Sequence, residues 1–208
     1  MKFAKEGLPT IITLFAAGVF FSVFLTWRWP EVVFFLLMGF ALWFYRDPER
    51  SIPEGENVFV SPADGKVVEI EPATHSFTGE ALKVGIFMNP LSVHVNRAPC
   101  EGTVDWLEYV PGKKIAAYAP KASEVNERHY VGLDTKHGPV LLAQIAGLLA
   151  RRIVCRVRKG DVLAAGERYG MIKLGSKVDI YLPRNVKLSV RKWDQVYAGR
   201  SSLVVMGE

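Results

Sequence analysis

The stretch IKLGSKVDIYLP, residues 172–183, decides the fold predicted for this chain. Its pattern predicts a strand, a break at Gly175–Ser176, and a second strand whose apolar residues alternate with polar ones from Val178 to Leu182. A Gly-Ser pair between two strands is in most proteins a bend or a bulge, because glycine relaxes the steric limits on the backbone there. Chemistry at this serine therefore requires partners from other parts of the chain.

Two other stretches supply such partners. Asp64 lies in SPADGKVV, residues 61–68, and His94 lies in FMNPLSVHVNRAP, residues 87–99. A serine hydroxyl is a poor nucleophile near neutral pH, and it needs a positioned base, commonly a histidine oriented by a carboxylate. Taken alone, Asp64 is a turn aspartate before a glycine, and His94 is a packing residue after an apolar strand. Together, the three segments support the hypothesis that Ser176 is an activated serine.

The chain from Val58 onward carries many short apolar runs separated by glycine and proline. They predict strands at residues 58–61, 66–71, 82–88, 91–97, 102–110, 128–134, 139–147, 152–158, 169–174, 177–182, 187–191 and 202–206. One short helix is predicted near residues 120–126. Many short strands with turn residues between them predict a mainly β fold, a compact sandwich or barrel-like β domain.

Two uncharged apolar runs precede this domain, at Ile11–Trp27 and Val32–Tyr45. As helices they would extend about 25 Å and about 20 Å, so the first reaches the lower limit for crossing a bilayer core. Arg28–Glu31 separates them and predicts a tight N-terminal hydrophobic helical hairpin, which either spans the membrane twice or enters and leaves through one leaflet. Basic residues lie mainly at the outer ends of the two runs, which places both chain termini on the cytoplasmic side.

The content of cysteine, histidine and charged residues limits the functions that the chain can have. Two cysteines, Cys100 and Cys155, are too few for a disulfide framework and fit buried thiols in a reducing compartment. The four histidines have no metal-ligand spacing, so we predict no metal site. The net charge of +5 is modest, which suits weak attraction to anionic lipid head groups. The basic runs are short and interrupted, which argues against a nucleic-acid partner; we interpret them as solvated faces, with lipid contact as the alternative.

A set of motifs runs through the chain in a definite order. After the apolar hairpin come FYRDPER at 44–50, SPADG at 61–65, HVNRAP at 94–99, NER at 126–128, Gly138–Pro139 and Gly175–Ser176. Each motif alone is weak evidence, whereas their order and spacing are specific and cover nearly the whole chain. In this respect the chain resembles the phosphatidylserine decarboxylases, in particular their short membrane-anchored type.

The resemblance implies a pyruvoyl enzyme that makes its own cofactor. The Ser176 hydroxyl would attack the Gly175 carbonyl, and the resulting ester would eliminate, leaving a covalent pyruvoyl group (pyruvate) derived from Ser176 at the new N-terminus. This autocatalytic cleavage of the zymogen would yield chains 1–175 and 176–208, held together as a heterodimer. His94 and Asp64 match the family's positions for the base and its carboxylate, and His94 is also the candidate proton donor.

The implied reaction is the decarboxylation of phosphatidylserine to phosphatidylethanolamine, a lyase step of phospholipid biosynthesis. The pyruvoyl ketone would form a Schiff base with the substrate amine and act as an electron sink when carbon dioxide leaves. The implied partners are the lipid substrate and the bilayer, with a homodimer left open. We therefore expect a membrane anchor and linker over residues 1–50, and a β-rich catalytic domain over 51–208 on the cytoplasmic face of the cell membrane.

One position departs from the family's pattern. Better-studied members carry a second histidine three positions after the first, assigned to self-cleavage, and this chain has Arg97 there. Either His94 serves both steps, or another histidine does, or Arg97 has a different task such as pairing with the lipid phosphate or carboxylate. Lys177 stands where one branch of the family has a threonine. There it would flank the pyruvoyl group and could help to hold an anionic substrate, but the strand pattern favours a solvent-facing lysine. Further candidates for polar residues of the site are Asn126, Arg128 and Gln144.

Two other functions fit parts of the sequence. Lys-Gly-Asp and Gly-Glu turns between short strands are similar to those of lipoyl and biotinyl carrier domains, and Lys173 would then be the modified residue. A non-catalytic adaptor, a β domain held at the membrane to bind partners, also fits the anchor. A carrier stays uncut with an adduct on Lys173, and an adaptor is indifferent to the loss of the Ser176 hydroxyl.

Overall fold

The computed structural model describes residues 2–53, 55, 58–119, 121–148, 150 and 152–205. It divides into two compact units, residues 1–49 and 50–208. Some predicted features fall partly outside the described residues. These are residues 54, 56 and 57 of the linker, residue 120 of the short helix, and residues 206–208 at the end of the catalytic domain.

The first unit is a helical hairpin closed by two short strands. In chain order its elements are β1 (Lys2–Phe3), α1 (Leu8–Phe24), α2 (Trp29–Phe44) and β2 (Arg46–Asp47). β1 pairs antiparallel with β2, which brings the two ends of the unit together. Between the helices, Phe21 stacks on Phe34 with 5.0 Å between ring centroids, and Gly18 leaves room for Phe35. The predicted helical hairpin is confirmed.

The helices of this unit carry large apolar side chains on their surface. With the turn that precedes it, α1 forms a 20-residue segment, Lys5–Phe24, with a mean hydropathy of 2.0. By length and composition it is the one helix in the described part of the chain that could cross a membrane, since α2 has only 16 residues. Phe24 and Leu36 expose 70% and 69% of their surface. Such a surface marks α1 as a candidate membrane anchor.

The second unit is built almost entirely of strands. Its elements are β3 (Val58–Val60), β4 (Gly65–His75), β5 (Gly79–Met88), β6 (Val95–Arg97), β7 (Gly102–Val110), α3 (Ala122–Val125), β8 (Arg128–Asp134), β9 (Val140–Ala146), β10 (Arg152–Cys155), β11 (Val162–Leu163), β12 (Arg168–Lys173), β13 (Ser176–Pro183), β14 (Gln195–Val196) and β15 (Ser202–Val205). Eight of them form an antiparallel sheet in the order β11-β7-β8-β9-β13-β5-β4-β14. Three more form the sheet β10-β12-β6, and β15 pairs with β3. The predicted mainly β fold is confirmed.

β13 lies near the centre of the eight-stranded sheet, between β9 and β5, and its side chains alternate between two faces. The core face of β13 consists of Ser176, Val178, Ile180 and Leu182. The α3 face consists of Lys177, Asp179 and Tyr181. The three aliphatic side chains of the core face are fully buried in the main hydrophobic core, where each stabilises the fold by about 1.5–3 kcal/mol. Ser123 of α3 contacts the other face.

Two predicted strands are mostly absent from the structure, and β10 covers only part of the strand predicted at 152–158. Over residues 91–97 only β6 is a strand, because a turn comes before it. The Asn89 side chain holds that turn by accepting hydrogen bonds from the N–H groups of Leu91 and Ser92, at 2.8 and 3.1 Å. Over residues 187–191 the chain forms only an isolated bridge, between Leu188 and Val204. Both differences leave the order of the main sheet unchanged.

The predicted break before Ser176 is a corner between two sheets. Only Leu174 and Gly175 separate β12 from β13. Yet β12 belongs to the three-stranded sheet and β13 to the eight-stranded one. The chain therefore has to change direction within two residues, at the place where the sequence carries the Gly-Ser pair.

Candidate active site

The corner between the two sheets has an unusual backbone. Leu174 and Gly175 are both left-handed, with φ of 65° and 59°. Glycine adopts this region at little cost, but a leucine there costs about 1–2 kcal/mol, because its Cβ approaches the following carbonyl oxygen. Gly147 lies directly against the Gly175 carbonyl group, and a side chain at position 147 would collide with that oxygen. The backbone is therefore strained at Leu174, and the Gly175 carbonyl group that precedes Ser176 is closely enclosed.

Ser176 begins β13, opposite Met88 of β5 and Ala146 of β9. Its side chain is fully buried, and its hydroxyl oxygen has no hydrogen-bond partner among the described residues. A buried hydroxyl without a partner costs about 1–3 kcal/mol, so such a group calls for an explanation. A buried hydroxyl with no hydrogen-bond partner among the described residues thus lies next to the Gly175–Ser176 peptide bond and two residues from the strained backbone of Leu174.

The Asn126 side chain holds one wall of this site. Its nitrogen donates to the carbonyl oxygens of Ala146 and Ile115, at 2.7 and 2.9 Å, and its oxygen accepts from the Ile115 N–H at 3.0 Å. Arg128 donates to the Asn126 carbonyl at 3.1 Å and supports the same wall. Because Ala146 pairs with Ser176, Asn126 fixes the backbone beside the serine. This candidate residue therefore acts on the backbone and does not offer its amide to a ligand.

A polar bridge joins the two sheets beside Ser176. Gln144 of β9 donates to the side-chain oxygen of Asn96 at 2.8 Å, and Asn96 donates to the sulfur of Met88 at 3.7 Å. Since Asn96 lies in β6, this bridge holds the three-stranded sheet over the core face of β13. Sequence reasoning singled out Gln144 and missed Asn96. The only sequence signal for Asn96 is its place two residues after the histidine of HVNRAP.

His94 lies just before β6 and is fully buried. Its Nδ1 lies 2.9 Å from the carbonyl oxygen of Ser92, and because a carbonyl can only accept, we assign the proton of the neutral ring to Nδ1 and the basic position to Nε2. The carbonyl of His94 accepts from the Ile172 N–H at 3.3 Å, which ties this histidine to β12. Residues two apart on an extended segment share a face, so we expect His94 to lie on the same side as Asn96.

Asp64 is buried in the turn before β4, and two donors share its carboxylate. Oδ2 accepts from Arg50 at 2.8 Å, and Oδ1 accepts from the Ala198 N–H at 2.7 Å. In the same turn the Pro62 carbonyl accepts from the Arg97 N–H at 2.9 Å, which joins this turn to β6. The turn therefore lies beside the strand that follows the candidate histidine, and the orienting role of Asp64 stays a prediction.

Arg97, which stands where the family carries its second histidine, is almost fully buried. Its Nη1 donates to the Gly166 carbonyl at 2.9 Å, and its aliphatic part packs against Gly199. These contacts give Arg97 a structural task, which the sequence did not indicate, and its pairing with a lipid group stays a prediction.

Lys177 is fully buried, so the prediction of a solvent-facing lysine is wrong. Its ammonium lies 2.8 Å from Oε2 of Glu69, 2.6 Å from Oγ of Ser123 and 3.2 Å from Oδ1 of Asp179. Lys83 lies 3.4 Å from the same Glu69 oxygen and completes the cluster. The prediction assumed a sheet with one wet face, as antiparallel sheets commonly have, whereas β13 is covered on both faces.

At Asp179 and Glu69, the two carboxylates of this cluster, burial and the nearby ammonium groups shift the pKa in opposite directions. Burial raises the pKa of Asp179 above its ordinary value, and the nearby ammonium groups offset only part of that effect. Burial also acts to raise the pKa of Glu69, but the hydrogen bonds and charges of Lys177 and Lys83 outweigh it, so that this pKa is lowered. Glu69 is therefore the ionised partner of Lys177 near neutral pH.

No group of three or more His, Cys, Asp or Glu side chains in the described part of the chain is arranged to hold a metal ion. Both cysteines are free thiols. Cys100 is buried, and burial raises its pKa to about 12, so it is not a thiolate near neutral pH.

Comparison with known proteins gives a consistent result. A family model described as phosphatidylserine decarboxylase matches residues 37–203. A protein of Syntrophus aciditrophicus named phosphatidylserine decarboxylase proenzyme is 44% identical over 203 residues, which cover 96% of this chain and 95% of that protein. Proteins of the same name from Nitratidesulfovibrio vulgaris and Ralstonia nicotianae are 48% and 43% identical. Those alignments cover 97% and 99% of this chain, and 93% and 94% of the relatives.

Proposed function

The chain belongs to the phosphatidylserine decarboxylase family, whose members are carboxy-lyases, and we propose that it cuts itself between Gly175 and Ser176 and then converts phosphatidylserine to phosphatidylethanolamine. The observation that carries the proposal is the buried Ser176 hydroxyl, without a hydrogen-bond partner among the described residues, next to the left-handed corner at Leu174 and Gly175. The relatives are named proenzymes, which supports a chain made as a precursor and cut later.

Self-cleavage begins at the Ser176 hydroxyl. Nε2 of His94 takes the hydroxyl proton while Oγ bonds to the Gly175 carbonyl carbon, and the bond from that carbon to the Ser176 nitrogen breaks as the nitrogen gains a proton. The product is an ester of Gly175 with the serine side chain. Loss of the Ser176 Cα proton then expels the Gly175 carboxylate together with Oγ. One water molecule releases the nitrogen as ammonia and leaves a pyruvoyl group at position 176.

The residues around Ser176 fit such a group. It would begin a central strand, between Met88 and Ala146, at a position that is fully buried. When present, its ketone supplies an electron sink for the charge that remains as carbon dioxide departs. β13 lies wholly within the fragment that begins at 176, so the ladders to β5 and β9 hold this position after the cut.

His94 is the proposed proton donor in the lipid reaction. The Ser92 carbonyl keeps a proton on Nδ1, so Nε2 is the nitrogen that gains and returns the second proton. An imidazole is suited to this task near neutral pH. In this proposal one histidine serves both self-cleavage and decarboxylation, and no second histidine is needed at the position of Arg97.

We also propose that residues 1–50 anchor the catalytic domain, residues 51–208, at the cytoplasmic face of the cell membrane. The apolar segment Lys5–Phe24 supports attachment, and the basic residues outside the hairpin support the orientation. An anchor confines the enzyme to the surface that holds a two-chain lipid. Deleting residues 1–49, which leaves the Arg50–Asp64 pair in place, should therefore reduce activity on bilayer phosphatidylserine far more than on a short-chain soluble analogue. Equal losses on both substrates contradict the anchoring role.

The test of the main proposal is the intact mass of the purified chain under denaturing conditions. We expect two fragments that divide between Gly175 and Ser176, the smaller one lighter than its sequence by the mass of ammonia. A carrier domain would instead stay whole with an adduct on Lys173. An adaptor would stay whole with an unmodified mass, and either result refutes the proposal.

A further inference from the structure

The charged cluster behind Ser176 takes no part in the chemistry proposed above. Lys177 is fully buried, although it directly follows the residue proposed to react. Lysine is almost never fully buried unless it is paired, and removing each charge from water costs several kcal/mol before pairing offsets it. A charge buried at this position therefore invites a functional explanation.

The Lys177 ammonium ties the start of β13 to two elements that do not pair with it in the sheet. It lies 2.8 Å from Glu69 in β4 and 2.6 Å from Ser123 in α3. Ser123 in turn donates to Oδ2 of Asp179 at 2.8 Å, two residues further along β13. These contacts add a second attachment to the backbone ladders with β5 and β9.

We infer that Lys177 is a positioning residue for self-cleavage, whose buried ammonium holds the first residues of β13 so that the strained corner at Leu174 and Gly175 keeps its geometry. The inference rests on the proposed cut before Ser176. Ends of elements open more readily than their centres. If the start of β13 opened, the two left-handed residues would relax to ordinary angles and the Ser176 hydroxyl would leave the Gly175 carbonyl. The contacts of the Lys177 ammonium prevent this relaxation, so the backbone strain stays available to the reaction.

The same cluster offers a matched control in Lys83. It is also buried, with 8% of its surface exposed, and it pairs with Glu71 at 2.6 Å and with Glu69 at 3.4 Å. In the sheet, however, Lys83 lies opposite Tyr181, far along β13 from the corner. Replacing either lysine removes a buried charge from one cluster, but only one of them adjoins the bond to be cut.

The experiment follows self-cleavage in full-length chains carrying Lys177→Met or Lys83→Met, synthesised without cells in lipid nanodiscs and analysed by intact mass over time. We expect Lys177→Met to be cut roughly tenfold more slowly than the parent chain, which corresponds to about 1.4 kcal/mol. Lys83→Met should be cut at close to the parent rate. Equal rates in the two variants overturn the inference. A parent chain that stays whole overturns the proposed function itself, which is a distinguishable result.

Thermal unfolding separates positioning from general stability. Each lysine variant is combined with Ser176→Ala, so that every chain melts uncut, and we expect similar losses of stability for both. If Lys177→Met does not fold, the pair Glu69→Gln and Glu71→Gln decides, because Glu69 binds Lys177 at 2.8 Å and Lys83 at 3.4 Å, whereas Glu71 binds Lys83. Slower cleavage in Glu69→Gln alone supports the inference, and equal rates in the pair overturn it.

Chemical rescue distinguishes a lysine that positions the corner from one that only stabilises the fold. Lys177→Ala leaves a buried space beside Glu69 in which a small alkylammonium ion can replace the missing group. Propylammonium should raise the cleavage rate of Lys177→Ala several-fold and leave that of Lys83→Ala unchanged. Rescue of both variants, or of neither, contradicts a positioning role for Lys177.

Discussion

Ser176 and Lys177 are neighbours in sequence, but they lie on opposite faces of β13 and differ in how their polar groups are satisfied. The Ser176 hydroxyl is buried without a hydrogen-bond partner among the described residues, whereas the Lys177 ammonium has three partners within 3.2 Å. A hydroxyl that is to react must not already be held by hydrogen bonds. A side chain that fixes the position of a strand must instead have partners for its polar group. Because a strand directs successive side chains to opposite faces, one short segment provides both.

The largest expected effect is the loss of the core-face hydroxyl. Ser176→Ala should abolish self-cleavage and decarboxylation, because no other group can form the ester. Its unfolding free energy should not fall, since the hydroxyl it removes has no hydrogen-bond partner among the described residues. Ser123→Ala, which removes a hydroxyl on the other side of the sheet, should slow the cut without abolishing it. Intact mass and thermal melting measure both quantities, and a cut Ser176→Ala chain contradicts the comparison.

The second-largest expected effect is that of replacing His94, the proposed base for self-cleavage. His94→Gln keeps a polar side chain of similar size but cannot gain and return a proton near neutral pH. Self-cleavage should slow by roughly 10²–10⁴-fold, the usual contribution of a general base. His75→Gln is the control, because His75 is also partly buried and pairs with Gly79 at one end of β5, whereas Met88 at the other end pairs with Ser176. Time courses of cleavage measure the ratio, and similar rates in the two variants would show that His94 is not the base.

The third effect tests the strain at the corner. Leu174→Gly should relieve about 1 kcal/mol of backbone strain and slow self-cleavage roughly fivefold, because glycine accepts a positive φ without cost. Trp193→Gly relieves similar strain at φ 81°, on the loop before β14, and should leave the rate unchanged. Cleavage rates of the two chains provide the measurement. A rate in Leu174→Gly equal to that of the parent chain shows that strain does not contribute.

The smallest effect concerns stability and pH on the α3 face. The pKa of Asp179 is raised in the fold, so its contribution is complete at low pH and is lost as the pH rises through that pKa. The pKa of Glu69 is lowered, so its contribution is present near neutral pH and is lost as the pH falls. Near neutral pH, Glu69→Gln should therefore cost more stability than Asp179→Asn. Denaturant unfolding from about pH 4 to pH 8 measures this, and a greater cost for Asp179→Asn contradicts it.

Much of the fold could be predicted because its signals are local. Alternating apolar residues placed most strands to within a few residues, from β7 and β8 to β13, and two uncharged runs predicted the helical hairpin. The errors came where a side chain overrode the pattern, as when Asn89 holds a turn ahead of β6. Secondary-structure propensity depends on residue types alone and takes no account of a hydrogen bond between a side chain and a nearby backbone group.

The site was predictable only as a set of residue types. Ser176, His94 and Asp64 could be selected from their motifs, but the contacts of Asp64 with Arg50 and Ala198 join segments far apart in the chain. The bridge through Asn96 was missed for the same reason, since its partners lie on two other strands. Spacing along a sequence carries no information about which distant backbone group a carboxylate or an amide will meet.

By itself, the sequence determined the strand periodicity, the apolar hairpin, and the Gly-Ser pair at which the chain turns. Only the tertiary structure decided that Leu174 adopts a left-handed backbone and that Lys177 is buried with Glu69, Ser123 and Asp179. The physical reason is that alternation assigns a side chain to one face of a strand. Whether that face meets water or protein depends on elements such as α3 and β4, which the chain brings there only when the sheets assemble.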